Sequence, residues 1–313
     1  MVVCVNHPDS KASVEVDSLW LCTPCFLRII ESRVKAAIER YGMVATGDSI
    51  AVGLSGGKDS STLLLILCNL AARLRLARLV AITVDEGISG YREEAISMAR
   101  SLTQENGIEH VVIRLRDIFG VDIDALSDAA GSSLCSTCGV LRRRALDIVA
   151  KEQGCHAIGT GHTRGDNAET FLMNIFRGEP QRLVRTGPKT KKMGGFVPRI
   201  KPLCYLSERE VTLYAYLSNI RFQTRTCPYR TESLRLQVLT MLKRMEKVNE
   251  KIPVAITRTL NKADVSLSGR HGQMRLKSCV RCGYPSASGI CMACKVTMKH
   301  QQAIRDAADY YTS

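Results

Sequence analysis

Short apolar runs alternate along this chain with longer stretches of helical spacing. DSIAVGL, residues 48–54, is an apolar run opened by polar residues and predicts a short buried strand. STLLLILCNLAARL, 61–74, has the length and apolar density of a core-facing helix. The alternation continues with LVAITVD (79–85) as strand, 91–105 as helix, HVVIRL (110–115) as strand, 138–153 as helix, CHAIGTGH (155–162) as strand and 166–177 as helix. Such an order predicts an α/β fold, a Rossmann-like parallel sheet with helices on both faces and ligand at the carboxyl ends of the strands. Val84 and Gly161, at two of those ends, then converge on the loop at Ser55, as does the start of the helix carrying Cys138 and Arg142.

The 313 residues are long for one domain and suggest a main domain with small appendages; the 45% hydrophobic content suffices for a real core. No run of 18 or more apolar residues occurs, and the opening MVVCVNHPDSKAS has no basic region leading into an apolar one. Neither a membrane span nor a signal peptide is visible, so the expectation is a cytoplasmic protein with no membrane partner.

Between the first strand and its helix stands LSGGKDSST, residues 54–62. Gly56 and Gly57 permit a tight turn and close backbone approach, and the amides at the helix start form an anion nest. Phosphates fit there, with Lys58 as compensating charge and Ser55, Ser60 and Ser61 as donors. A Walker A loop would need glycine where Val52 stands and a hydroxyl where Asp59 stands. Asp59 beside the lysine suits a magnesium ion on the pyrophosphate side better than a cradle for γ-phosphate transfer.

Thirteen cysteines in such a chain argue for metal or redox chemistry rather than for a disulfide framework. CVRCGYPSASGICMAC sets Cys279 with Cys282 and Cys291 with Cys294, two CxxC knuckles that close a four-sulfur structural zinc site; redox-active dithiols are the alternative. Cys4 and His7 form a CxxH knuckle, and Cys22 and Cys25 its CxxC partner, a second zinc loop. Metal binding would supply folding free energy that such short ends cannot draw from a core. The expected division is 1–30 as an N-terminal zinc finger, 31–275 as the catalytic domain and 276–313 as a C-terminal zinc ribbon.

Cys135 and Cys138, in LCSTCGVLRRR, have no second CxxC nearby. Cys68, Cys155 and Cys204 read as packing residues, whereas Cys227, in RTCPYR, lies in a polar loop. Three thiolates cannot complete a structural zinc site, but they leave one corner of a cubane iron–sulfur cluster free; a persulfide-forming pair accounts for the spacing equally well.

Lysine and arginine number 44 against 30 acidic residues, a net charge of +14. Eight basic residues (Arg177, Arg182, Arg185, Lys189, Lys191, Lys192, Arg199, Lys201) and one acid, Glu179, lie between 177 and 201. A solvated loop face and a nucleic-acid surface read alike from that run alone; beside a phosphate loop, nucleic acid is favoured.

SGGKDS, a mid-chain CSTCG, GTGH, the later lone Cys227 and knuckles at both ends occur here in one order. In that combination the chain resembles the PP-loop ATP pyrophosphatases that thiolate tRNA, the TtuA and NcsA group of two-thiouridine synthetases, over essentially its whole length. The resemblance implies ATP attacked at its α-phosphate with release of pyrophosphate, and a nucleotide lined by Gly53, Leu54, Ser55, Asp59, Val84, Arg142 and Gly161. It also implies a 4Fe-4S cluster on Cys135, Cys138 and Cys227 with one iron free for incoming sulfide, and zinc at both termini. The implied reaction is adenylation of the uridine C2 oxygen followed by sulfur insertion. Free sulfide or a ubiquitin-like carrier would be the donor, tRNA the substrate and a homodimer the assembly. Basic residues at 177–201, in a helix over 235–251 and in the zinc modules would grip the tRNA backbone.

Where the family reads GHNxDD, this chain reads GHTRGD: Thr163 replaces Asn, Gly165 the first Asp, and Asp166 alone matches the second, as the expected functional acid. Arg142 stands where enzymes acting on the TΨC loop carry lysine. That favours wobble uridine 34 over uridine 54.

Overall fold

The computed structural model describes residues 2–16, 18–130, 134–179, 187–190, 194–230, 234–268 and 276–301. Of the basic run, Arg182, Arg185, Lys191 and Lys192 lie outside the described residues, as do 302–313 of the C-terminal module. Two small hairpins open the chain, β1 (Val3–Cys4) with β2 (His7–Lys11) and β3 (Val14–Val16) with β4 (Leu19–Leu21), followed by α1 (Thr23–Arg40). The main body then runs β5 (Ser49–Gly53), α2 (Lys58–Leu74), β6 (Arg78–Asp85), α3 (Arg92–Glu105), β7 (Glu109–Arg114) and the short helices α4 (Leu115–Phe119) and α5 (Ile123–Ala130). Next come α6 (Leu134–Glu152), β8 (Ala157–Gly159), α7 (Arg164–Phe176), β9 (Arg199–Ile200), α8 (Glu208–Leu217), α9 (Leu234–Val248) and α10 (Ile252–Ser268). The hairpin β10 (Lys277–Ser278) with β11 (Pro285–Ser286) belongs to the last knuckle pair.

The predicted parallel sheet is present, with strand order β7-β6-β5-β8-β9 and every pairing parallel. Its central strand explains the apolar run: Ile50, Ala51 and Val52 are each 0% exposed, as a strand covered on both faces requires.

Several element bounds differ from expectation. The strand expected over 155–162 pairs only at Ala157–Gly159, so Gly161 and His162 lie in the loop beyond it. α2 begins at Lys58 and α6 at Leu134, which puts Lys58, Asp59 and Ser60 in one first turn and Cys135 in another. α7 begins at Arg164, because Thr163 caps it: the Thr163 hydroxyl and the Asp166 carboxylate close a reciprocal capping box. α9 ends at Val248, ahead of 249–251. Cys68 is half-buried against the core, and Cys155 and Cys204 are buried, as packing residues should be.

The two knuckle pairs are built into the body. Cys4, Cys22 and Cys25 pack in one hydrophobic core with Ile50, Leu63 and Tyr214, and α1 runs unbroken through residue 30. Cys279, Cys291 and Ala293 share a second core with Leu134, Leu141 and Ala145 of α6, against which Cys138 and Cys227 also pack. Tyr284, between the last two knuckles, lies 3.3 Å beneath the Arg144 guanidinium and meets Phe196 edge-on at 4.9 Å between ring centroids. Asp147, fully buried beneath, accepts from the Val197 amide at 2.8 Å and stands 3.8 Å from Arg144 and 3.7 Å from Lys151. One face of α6 thus seats the C-terminal module, and its first two turns carry Cys135 and Cys138.

Candidate active site at the strand ends

The turn from β5 into α2 has the shape an anion needs. Gly56 adopts φ +81°, and a Cβ there would come within 2.3 Å of the Ala95 carbonyl oxygen, so only glycine fits. The Ser55 amide donates to the Ser60 hydroxyl at 3.0 Å, and that hydroxyl donates on to the Gly57 carbonyl at 3.1 Å. No side chain caps α2 at Gly57, so the amides of its first turn face the carboxyl edge of the sheet as an anion site. Gly53 and Leu54 supply backbone only: Leu54 is buried, its amide donating to Ile82 and its carbonyl accepting from Thr83.

Lys58 is held by carboxylates, 2.6 Å from Asp59 and 3.8 Å from Glu208 at the start of α8. Burial raises the Asp59 carboxyl above its ordinary range, Lys58 opposes the rise, and Asp166 and Glu208 reinforce it. Gly161 is pressed against this turn, since a Cβ on it would lie 2.7 Å from the Asp59 carbonyl carbon. Two carboxylates beside one lysine, with Asp166 near enough to act on Asp59, suit a divalent cation. Among the described residues, however, only the two terminal quartets bring three or more ligand atoms within 4.8 Å of one another, so a magnesium ion here would need nucleotide oxygens and water to complete its shell. Asp166 is also committed structurally: one of its oxygens accepts from the Thr163 amide at 2.8 Å and hydroxyl at 2.9 Å. The Asn-to-Thr departure therefore keeps a capping residue, and a Cβ on Gly165 would meet the Thr163 hydroxyl at an ordinary 3.6 Å.

Two residues absent from the sequence reading tie this turn to the cysteines. Arg92, 6% exposed, donates to the Ser55 carbonyl at 3.2 Å and the Val84 carbonyl at 2.9 Å, and pairs with Glu86 at 2.6 Å. Glu86, 5% exposed, also meets Arg142 at 3.4 Å, one turn beyond Cys138 on α6. Phosphate loop, second strand end and cysteine helix are thus joined by one buried carboxylate between two arginines. The only sequence signal was position, since Glu86 follows directly on a strand end.

On the far side of that bridge the three mid-chain cysteines come together. The exposed Cys135 thiol donates to the Tyr229 carbonyl at 3.2 Å, which brings the 227–229 loop to the start of α6. Burial pushes the Cys138 thiol up to about 11; Arg142 opposes, and Glu86, Cys227 and Cys135 reinforce the rise. Cys227 is raised in the same way, by burial and then by its neighbours Cys135 and Glu86. The three sulfurs are not among the described groups whose ligand atoms all lie within 4.8 Å of one another.

Cations close the remaining side. Packing desolvates the Arg143 guanidinium, and Arg199, Arg142 and Arg235 add like charge, so it is held at about 10. Burial pulls Lys201 down to about 8, with its ammonium on the Asn167 side-chain oxygen at 3.0 Å. His162 is depressed to about 4 by burial first and then by Lys201.

Both terminal quartets have the donor sets and convergence of tetrahedral sites. The His7 Nδ1 is 3.4 Å from Cys22 Sγ and 3.4 Å from Cys25 Sγ, and Cys282 Sγ is 3.7 Å from Cys291 Sγ.

Residues 27–241 match the model of the PP-loop domain family. The chain is 35% identical over 301 residues to the cytoplasmic tRNA 2-thiolation protein 1 of Danio rerio, covering 94% of this chain and 87% of that one. The protein of the same name from Aspergillus niger is 34% identical over 277 residues, 88% of this chain and 81% of that one. Among solved structures, the U34-tRNA thiolase NcsA from Methanococcus maripaludis, determined with its [4Fe-4S] cluster, superposes with a TM-score of 0.80 at 29% identity, over 95% of this chain and 96% of that one. A phosphate turn joined to three cysteines on a parallel sheet, and matches of this extent, lead to one assignment: the chain belongs to the PP-loop family and, within it, to the cytoplasmic tRNA 2-thiolation protein 1 group.

Proposed function

We propose that this chain is an ATP-dependent tRNA-uridine 2-sulfurtransferase acting on wobble uridine 34 in the cytoplasm. The observation that carries the reading is the buried Arg92–Glu86 pair with its link to Arg142, which supports a phosphate turn and a Cys135, Cys138 and Cys227 group working at one strand edge. A uracil C2 carbonyl is a weak electrophile whose oxygen cannot leave by itself. Its oxygen attacks the α-phosphate of ATP and pyrophosphate departs; sulfide then adds at C2, and AMP leaves with the former carbonyl oxygen.

The chain's own groups divide this work. The first amides of α2 and the Ser55 and Ser60 hydroxyls hold the phosphates, and Lys58 exchanges its carboxylate partners for phosphate oxygens as negative charge develops on them. Asp59, Asp166 and Glu208 would take part in holding a magnesium ion with the leaving pyrophosphate. Arg142 faces the joint of the two halves, where it stabilises the phosphate of the adenylated base. Cys135, Cys138 and Cys227 would hold a 4Fe-4S cluster, which supplies activated sulfide when bound. The uridine must leave its stack to reach this edge. Sulfide itself or the thiocarboxylate of a ubiquitin-like carrier is the donor, zinc fills both terminal quartets, and the working form is a homodimer. The modules at 1–30 and 276–313 flank a catalytic domain over 31–275.

The Methanococcus maripaludis relative is a U34-tRNA thiolase, and the arginine at 142 agrees with position 34 over position 54. Mass spectrometry of tRNA nucleosides and fragments from a strain lacking the gene tests the choice. Loss of wobble 2-thiouridine is the expected result, and its retention contradicts the reading. Iron content and visible absorption of anaerobically purified protein separate a cluster from an iron-free persulfide.

A further inference from the structure

A cavity of about 390 Å³ lies between α1, the start of α7 and α10, and four arginines line it: Arg33 and Arg40 on α1, Arg164 on α7 and Arg258 on α10. Tyr205 and Thr257 complete the part that matters here. Arg33 is paired with Glu210. Among the described residues no carboxylate stands within 4.0 Å of Arg40, Arg164 or Arg258. Arg164 donates to the Tyr205 carbonyl at 3.4 Å, which aims its side chain across the floor of the cavity. Concave walls bearing one sign of charge focus the field outward, and the guanidinium fork matches phosphate oxygens in pairs.

Two features favour a chain of phosphates over a single small anion. Arg33 and Arg40 are seven residues apart on one helix, about 10 Å along its axis, and Arg258 adds a second wall. The row is therefore longer than one phosphate group. Its Arg164 also stands next in sequence to the capping Thr163 and three residues after Gly161, which is pressed against Asp59. Its other wall is the second half of α1, past Cys25 of the first quartet. The groove thus lies apart from the basic run at 177–201, and none of its four arginines belongs to the phosphate turn or to a cysteine group.

We infer that Arg33, Arg40, Arg164 and Arg258 form a docking groove for the sugar–phosphate backbone of the RNA whose base enters the active site. The inference rests on the reading of tRNA as substrate. Arg40 and Arg258 are exposed and lie outside the phosphate turn and the thiol group, so Arg40→Glu with Arg258→Glu tests the groove without touching either. The control is Arg73→Glu with Arg100→Glu, an equal charge change on the exposed ends of α2 and α3.

Binding of unmodified tRNA to the full chain is measured by anisotropy between about 50 and 200 mM salt, the range over which phosphate contacts show their dependence, with ATP binding measured in parallel. The groove variant should bind tRNA at least about tenfold more weakly, with a salt slope shallower by about 2 and ATP affinity unchanged. The control should stay near the parent. Parental tRNA affinity in the groove variant overturns the inference, as does an equal loss in the control. Retained tRNA binding with lost thiolation from a carrier protein also overturns it and reassigns the groove to a protein partner. Failure of the parent itself to bind tRNA would instead remove the functional reading beneath it.

Discussion

Glu86 and Arg92 are buried as a pair, and Glu86 also reaches the half-exposed Arg142, so its removal would leave the Arg92 guanidinium buried and uncompensated. Glu86→Gln should cost about 3–5 kcal/mol of stability, the range for breaking a buried pair, and should weaken ATP binding and iron retention together; chemical denaturation and iron analysis of the same preparation check this. Loss of only one of the two functions would contradict the bridge. His162 gives a pH signature. Unfolded, its imidazole titrates near 6.5, whereas the folded chain holds it neutral down to about 4. As pH falls through that window the unfolded chain takes up a proton that the folded one refuses, so stability drops by up to roughly 1.4 kcal/mol per pH unit. Denaturation midpoints of the parent and His162→Gln, compared between pH 6.5 and 4, should diverge, with the flatter profile in the variant. Lys58, Asp59, the loop glycines and the cysteines were legible because their chemistry is local: a turn of that composition has few other purposes. Glu86 and Arg92 were not, because charged residues flanking a strand look solvent-exposed until burial to 5% and 6% shows otherwise.

Among the elements, α6 joins most of the protein's functions. Its first two turns carry Cys135 and Cys138, its third Arg142, and further along Arg144, Asp147 and Lys151 seat Tyr284 of the C-terminal module. Tyr284→Ala should therefore loosen the module from α6, costing about 1–3 kcal/mol for a part-buried aromatic and its cation partner, and shorten cluster lifetime in air while zinc content holds. Visible absorption decay alongside zinc analysis checks it; an unchanged decay would make the clamp purely structural. The alternation of apolar runs gave α3, β5, β6 and β7 to within a residue at each end; β5 and β6 are covered on both faces, and β7 at the sheet edge keeps a half-buried run. The start of α7 was misplaced because a cap decides it, and α8 was not foreseen: Thr163 with Asp166, and Ser207 with Glu210, are capping boxes spelled out in the sequence but invisible to apolar periodicity. β9 has two residues and pairs at the sheet edge, too short to leave any periodicity.

For the whole molecule, two hydrophobic cores each take in cysteines of one terminal quartet, so quartets that read as appendages are structural corners of the body. This could not be seen from spacing, because shared cores depend on contacts far apart in sequence. The same integration brings the adenylating and sulfur-delivering halves to one edge of one sheet, which is the central claim. The most direct test is an anaerobic single-turnover assay of iron-reconstituted protein with unmodified tRNA, ATP and sulfide, counting pyrophosphate, AMP and 2-thiouridine by position. One pyrophosphate and one AMP per wobble 2-thiouridine is predicted, with Cys135→Ala and Cys227→Ala losing iron and thiolation while still binding ATP; thiolation at parental level in either variant, or 2-thiouridine formed without pyrophosphate release, would contradict it.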